Sequence, residues 1–320
     1  NLEQGKQSIL LMNRRGFSTV MLCKDCGTVV QCDHCHVSLT LHKLRNKLLC
    51  HYCGFSVHAK TICSQCRSTE LTPIGFGTER VEEAVNELLP EARVRRIDGD
   101  IASDRKKFLG ILSEMQRGKI DILIGTQIIA KGLHFPNVTL VGVVWADGGM
   151  NMPDYRASER TYQLISQVTG RAGRGDVLGQ VIIQTMRPDH YALCYAKLHD
   201  YRKLFEHEMR LRRSPCFPPY VRMTLLRIEG KAEEEVRAAA LEVAKFCRKQ
   251  SQRTGKDVEI LGPVPAPLDK IRDNYRWQIL TKSVKSKSLH NLCAAIFKEK
   301  KNLLSSNCRL IVDVDPENMM

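Results

Sequence analysis

VTLVGVVWAD, residues 138–147, is apolar at nearly every position until its closing aspartate. A strand with one wet face alternates polar and apolar residues, so a run this continuous reads as a strand covered on both faces, as in a parallel sheet flanked by helices. Working outward, DILIGT (121–126) is a second strand of the same kind. The helix expected before it carries the stripe Phe108, Ile111, Leu112 and Met115, with Ser103 as its expected cap. Further upstream, RVRRI (93–97) reads as a strand and follows a helix whose positions Val81, Ala84, Val85, Leu88 and Leu89 repeat at helical spacing until Pro90. Strands over 9–12 and 19–22, a helix over 157–168 and the strand QVIIQT (180–185) extend the pattern on both sides. The alternation predicts an α/β lobe with a parallel sheet over residues 1–186.

This alternation is interrupted by cysteines. Eight of the thirteen form Cys23-x2-Cys26-x5-Cys32-x2-Cys35-x14-Cys50-x2-Cys53-x9-Cys63-x2-Cys66. A disulfide framework belongs to small exported domains, and this chain is large and opens without a basic, then apolar, leader. Each Cys-x-x-Cys pair instead bends as a knuckle offering two thiolates to a tetrahedral metal, and four knuckles make two zinc sites. Cys26-Gly27 and Cys53-Gly54 fit, because glycine lets the backbone turn back beneath the metal. HVSLTLHKLRNKLLCHYC (36–53) reads as two short strands around Arg45 and Asn46, a hairpin that brings Cys32 and Cys35 to Cys50 and Cys53. The outer pairs Cys23/Cys26 and Cys63/Cys66 then close a second site around the first. Loop reach favours this nested grouping over a sequential one, which must turn within residues 27–31; a crossed grouping stays open. Closed four-thiolate sites have no position for water, so the metals are expected to be structural. His34, His36, His51 and His58 read as surface residues rather than ligands.

After the lobe, residues 187–219 are helical and charged and end in RRSPCFPPY, where Pro215, Pro218 and Pro219 break any helix; they read as a linker. Residues 220–320 follow the order strand (221–228), helix (232–250), strand (258–261), strand (275–281), helix (286–298), strand (310–314), an α+β split β-α-β domain. No window of eighteen or more apolar residues occurs, so neither a membrane span nor an export signal is expected, and the location expected is cytoplasmic. Opening at Asn1 just ahead of a strand, the chain reads as a fragment of a longer polypeptide. Its formal net charge of +14 suits a phosphate-rich partner or is simply a soluble basic surface.

The chemistry concentrates in SQVTGRAGRG (166–175). It puts Gln167, Arg171 and Arg174 at the end of a helix, with Gly170 and Gly173 permitting close backbone approach. Two guanidinium forks on one helical face match the oxygens of a polyphosphate whose charge grows as a bond breaks. Thr126, Gln127, Lys131 and Gly132 follow a strand, where side chains and backbone amides meet single-strand phosphates or sense a nucleotide. Arg14 and Arg15 either do the same or sit in surface ion pairs. Asp147 either links nucleotide state to lobe closure or is a helix cap or solvated carboxylate. Arg276 and Trp277, beside Tyr275 and Gln278, suit base stacking or an acidic peptide; alternatively Trp277 is core, with Tyr275 on its face. Lys282, Lys285 and Lys287 are phosphate contacts or a solvated face. The sequence holds no Gly-x-x-x-x-Gly-Lys-Ser/Thr loop and no Asp-Glu magnesium pair, so the fragment is expected to be inactive alone.

GTQ…KG (125–132) before a buried strand, joined to QVTGRAGR (167–174), resembles the fifth and sixth motifs of superfamily-two helicases. With LLMNRRGFS (10–18), GFGTERVEE (75–83), PDYRASER (153–160) and ILGPVPAPLDKIRDNYRWQIL (260–280), the chain resembles, end to end, the C-terminal part of the primosomal replication-restart helicases. It departs from their pattern at Gly99 and in IASDRKK (101–107). The resemblance implies that residues 1–186 are a second RecA-like lobe with a zinc-binding insertion over 23–66. It implies a 3′–5′ DNA helicase whose ATP and Mg2+ are held mainly by a first lobe, with Arg174 as finger, Arg171 beside it and Gln167 orienting the nucleotide or its water. It implies zinc knuckles beside the motor that contribute to unwinding, and a C-terminal domain that binds forked and single-stranded DNA. The partners implied are the acidic tail of single-stranded DNA-binding protein, other primosome proteins and the replicative helicase loader, in a bacterial, nucleoid-associated setting. A zinc-dependent nucleic-acid-binding protein with no motor is the competing reading; the motif order favours the helicase.

Overall fold

The computed structural model describes residues 1–12, 19–42, 46–59, 62–74, 77–130, 135–169 and 179–319. Along the chain come β1 (Gln7–Met12), β2 (Val20–Cys23), β3 (Thr40–His42), β4 (Lys47–Leu49), β5 (Ser56–His58) and β6 (Leu71–Ile74). Then follow α1 (Thr78–Leu88), β7 (Val94–Ile97), α2 (Gly99–Ser103), α3 (Arg105–Gln116), β8 (Ile122–Gly125), α4 (Gln127–Ala130), β9 (Val138–Val144), α5 (Asp147–Met150), α6 (Ala157–Thr169) and β10 (Gln180–Ile183). The last stretch holds α7 (Tyr191–Lys197), α8 (Tyr201–Arg213), β11 (Arg222–Gly230), α9 (Glu233–Arg253), β12 (Glu259–Ile271), β13 (Asn274–Ser283), α10 (Ser286–Leu303) and β14 (Cys308–Val314). Two compact units result: Asn1–Gly16, Ile74–Met152 and Arg156–Glu206 form one, and Phe17–Pro73, Pro153–Tyr155 and His207–Met320 the other.

In the first unit the continuous apolar runs become the parallel sheet β10-β9-β1-β8-β7. Ile9, Leu11, Leu123 and Val141 pack with Met115, Leu164 and Val168 of α3 and α6, while Ile122 and Ile124 pack with Val81 and Val85 of α1. The cap of α3 is Asp104 and not Ser103: its carboxylate accepts the N–H groups of Lys106 and Lys107 at 3.1 and 3.2 Å. Ser103 closes the short α2, so Asp104 is the first residue left in an extended conformation. Gly125 ends β8 where a Cβ would meet the Ile97 carbonyl at 2.6 Å, so only glycine passes there. Residues read as the opening of a linker are packed: Ala192, Leu193, Ala196 and Leu204 join Val143, Tyr162 and Ile165 in one core.

The second unit holds two sheets. One, β5-β4-β3-β2-β6, carries the cysteines, and its β3–β4 hairpin pairs Thr40 with Leu49 and Leu41 with Leu48. The other, β12-β13-β11-β14, is antiparallel throughout; β12 and β11 run parallel with β13 inserted between them, the split β-α-β arrangement. One face of this sheet is covered by α9 and α10 through Leu226, Ile228 and Ile279 against Val236, Val243, Leu289 and Ile296. Its other face presents Met223, Leu225 and Leu280, which share a core with Leu39, Leu48, Cys50, Tyr52 and Phe217. The cysteine module, inserted in sequence between β1 and α1, thus packs in the same unit as the C-terminal sheet. Among the described residues no helix is long and apolar enough to cross a membrane.

Candidate metal centres and nucleotide-facing residues

The eight cysteines gather into two groups, Cys23, Cys26, Cys63, Cys66 and Cys32, Cys35, Cys50, Cys53, each with its sulfurs all within 4.8 Å of one another. One turn, used four times, builds them. The N–H of the residue after each second cysteine returns to the first cysteine's carbonyl: Gly27 to Cys23 (2.9 Å), His36 to Cys32 (2.8 Å), Gly54 to Cys50 (3.0 Å) and Arg67 to Cys63 (3.0 Å). Closing such a turn needs positive φ, which Gly27 (70°) and Gly54 (85°) adopt freely and His36 (54°) and Arg67 (63°) adopt without being glycine. The sulfurs accept further N–H groups, from Cys35 to Cys32, Tyr52 to Cys50 and Phe55 to Cys53, each at 3.4 Å.

The donor set fits zinc. Cys23–Cys66, Cys26–Cys63 and Cys32–Cys53 sulfurs lie 3.5, 3.6 and 3.6 Å apart. Those separations match the edge, about 3.8 Å, of a tetrahedron with a metal–sulfur distance of about 2.3 Å. Charge is unevenly divided among the thiols, with Cys35, Cys50 and Cys66 raised. Hydrogen bonds from Thr28 bring the Cys26 thiol down to about 6. Hydrogen bonds from Cys32, then Cys35 and Cys50, hold Cys53 far below the usual thiol range, while Cys35 is pushed far up, first by its bond to Cys32. Sulfurs this crowded share few negative charges until a dication balances them.

Of the histidines read as surface residues, His34, His36 and His58 are exposed, with His34 Nδ1 3.9 Å from Cys53 Sγ. His51 is the correction: it is only 2% exposed, with Nδ1 donating to the Pro265 carbonyl at 2.8 Å and Nε2 3.3 Å from His42 Nε2. Burial draws its pKa down to about 4.

Of the residues expected to face nucleotide or DNA, Arg14, Arg15, Lys131, Gly132, Gly170, Arg171 and Arg174 lie outside the described residues. Thr126 and Asp147 follow the carboxyl ends of the parallel strands β8 and β9, the edge where ligands of α/β sheets bind. Thr126 is buried and Gln127 half-buried at the start of α4; Gln167 is exposed in the last turn of α6. Asp147 is fully buried rather than solvated, its Oδ2 accepting the Met186 N–H at 3.0 Å and its Oδ1 without a partner among the described residues.

In the C-terminal sheet, Arg276 is buried, with Nε donating to Glu229 at 3.0 Å, and Trp277 packs on the core beneath α9 and α10, with Tyr275 beside it. Trp277 and Tyr275 are packed as the core alternative has them. Lys282 is neither a phosphate contact nor solvated: it is buried, bonded to Glu259 and the Pro215 carbonyl at 3.0 Å each, with Phe217 beneath it at 5.4 Å. Lys285 pairs with Asp257 at 3.0 Å, and Lys287 is exposed. Sequence reading missed the Arg212–Glu208 pair (2.8 Å) and Arg212 over the Tyr155 ring at 5.2 Å. The one signal was their i, i+4 spacing, which exposed helices share.

Three families match along this frame. The PriA DNA helicase Cys-rich region (CRR) domain matches residues 32–57, the helicase conserved C-terminal domain 62–176, and the primosomal protein N C-terminal domain 213–317. Replication restart protein PriA of Bacillus subtilis is 42% identical over 320 residues, all of this chain and 39% of the relative. That of Haemophilus influenzae is 40% identical over 319 residues, covering 100% of this chain and 43% of the relative, and that of Synechocystis 40% over 315, covering 97% and 37%. The chain spans less than half the length of these curated relatives. With its cysteine-rich, helicase and C-terminal segments in that order and its full length matched to the C-terminal part of its relatives, the chain belongs to the PriA family of replication restart proteins.

Proposed function

We propose that the chain is the C-terminal part of an ATP-dependent 3′–5′ DNA helicase that recognises stalled or repaired replication forks and starts primosome assembly. The observation that carries this reading is identity of 42% along the whole chain to a replication restart protein, through all three matched segments. In it, Arg174 and Arg171 neutralise charge growing on a triphosphate held with Mg2+ mainly by a first lobe, and Gln167 orients that nucleotide or its water. Gly132 and Gly170 let backbone approach the nucleotide, and buried Asp147 ties the end of β9 to the segment after β10, stiffening the edge that faces it. Thr126, Gln127, Lys131, Arg14 and Arg15 follow the DNA strand. Two zinc ions crosslink the four turns of the cysteine module. Forked DNA, the acidic tail of single-stranded DNA-binding protein, other primosome proteins and the helicase loader are the partners in this reading.

The test is ATP turnover. Arg174→Ala in the complete polypeptide is expected to abolish DNA-stimulated hydrolysis and leave DNA binding nearly unchanged; equal loss of both overturns the arginine's role. The 320-residue chain alone is expected to hydrolyse nothing, and DNA-stimulated hydrolysis by it overturns the division of labour between lobes.

A further inference from the structure

Four knuckles enclose four residue pairs: Lys24-Asp25, Asp33-His34, His51-Tyr52 and Ser64-Gln65. Three of these pairs are exposed on both residues, and His51-Tyr52 alone is buried on both. These two side chains diverge. His51 reaches the C-terminal sheet, donating to Pro265 of β12 at 2.8 Å, and its own carbonyl accepts the Gln278 side chain of β13 at 2.8 Å. Tyr52, 1% exposed, meets Phe217 edge-on at 5.7 Å, and its hydroxyl accepts the Tyr155 N–H at 3.4 Å. Tyr155 in turn stacks on Phe217 at 4.7 Å, closed on its other side by Arg212.

Cys32, Cys35 and Cys50 belong to this same core, with Leu225 and Leu280. None of Cys23, Cys26, Cys63 and Cys66 does; Cys66 is exposed and Cys26 half-buried. Ligand chemistry and turn geometry are alike in both clusters, so the difference lies in what the enclosed pair touches. A knuckle whose two sulfurs are tied has fixed backbone, and side chains projecting from it become fixed contacts; untied, the same four-residue turn has no other restraint of comparable strength.

We infer that the inner metal site is a clasp: by fixing the Cys50–Cys53 knuckle it seats His51 against the C-terminal sheet and Tyr52 against the Pro153–Tyr155 segment, whereas the outer site restrains only its own turns. The inference rests on the metal sites and not on the motor reading. Hydrogen exchange of the full chain, read beside metal content, tests it. Cys53→Ser is expected to drop one of two zinc ions and speed exchange in β13 and at Tyr155 by at least about tenfold. Cys66→Ser is expected to drop one zinc ion and leave those amides within about twofold of the parent. Equal acceleration by both variants, or by neither, overturns the inference. If Cys53→Ser does not accumulate, stripping the remaining zinc from Cys66→Ser with a chelator decides the matter. Faster exchange in β13 and at Tyr155 on that loss supports the clasp, and unchanged exchange there overturns it.

Discussion

The two four-cysteine clusters share a ligand set, a turn and a strand framework, yet they sit in different surroundings. Around the outer one, Lys24 and Glu70 approach at 4.0 Å with both side chains in solvent, and Ile62 stands 56% exposed. Around the inner one lie Leu39, Leu48, Tyr52 and Phe217 in a core continuous with the C-terminal sheet. Coordination chemistry therefore says what each site binds, and packing says what each site holds together.

Metal removal is expected to have the largest effect and the sharpest bearing on this contrast. Structural zinc is worth on the order of 10 kcal/mol of apparent folding free energy, so a chelator should dissolve the module's turns. Cys23 and Cys63 of the outer cluster are buried like Cys32, Cys35 and Cys50 of the inner one, but Cys66 is the one exposed ligand, which puts release from the outer site before the inner. Metal release followed by a colorimetric ligand alongside circular dichroism should show two steps; a single step would erase the distinction.

A smaller effect is expected at Arg212. Replacing it with alanine takes the 2.8 Å ion pair away from buried Glu208. That should cost about 3–5 kcal/mol, read from the denaturant midpoint of the second unit. The exposed Lys24–Glu70 pair is its counterpart by the outer site, and Lys24→Ala should cost under about 1 kcal/mol. Comparable losses would mean that the inner core is no more demanding than the surface.

Smallest is the hydrophobic pair. Leu48→Ala empties a fully buried position beside the inner cluster and should cost about 2–5 kcal/mol. Ile62→Ala, in solvent by the outer cluster, should stay within about 0.5 kcal/mol. Thermal melts of the two variants check the ratio.

Much of this was legible in one dimension. Parallel strands were readable because a strand covered on both faces is apolar without alternation, and 140–144 is apolar throughout, although its burial alternates between full and partial. The nested grouping of cysteines followed from a hairpin that loop reach favoured, and Thr40 pairs with Leu49 as that hairpin requires. Legibility failed where a polar residue is buried by a distant partner. Lys282 and Arg276 alternate along β13 as solvent-facing residues would, yet Glu259 and Glu229 lie across from them. His51 looked like any histidine between cysteines; the signal available was its neighbour Tyr52, the one aromatic enclosed in a knuckle. His36 and Arg67 adopt positive φ where no glycine announces it, because each closes a turn by returning its N–H to the first cysteine's carbonyl.

Local order and ligand chemistry needed only the amino-acid sequence: a parallel α/β lobe, a split β-α-β domain, and two sites of four thiolates, all set by short-range periodicity and spacing. Which pieces share a core needed three dimensions. Residues 17–73, 153–155 and 207–320 form one unit although far apart in the chain. The physical reason is that Leu225 and Leu280 present an apolar sheet face that α9 and α10 leave bare. Burying it takes whatever surface of matching shape the fold brings there, and no spacing rule along the chain records that match.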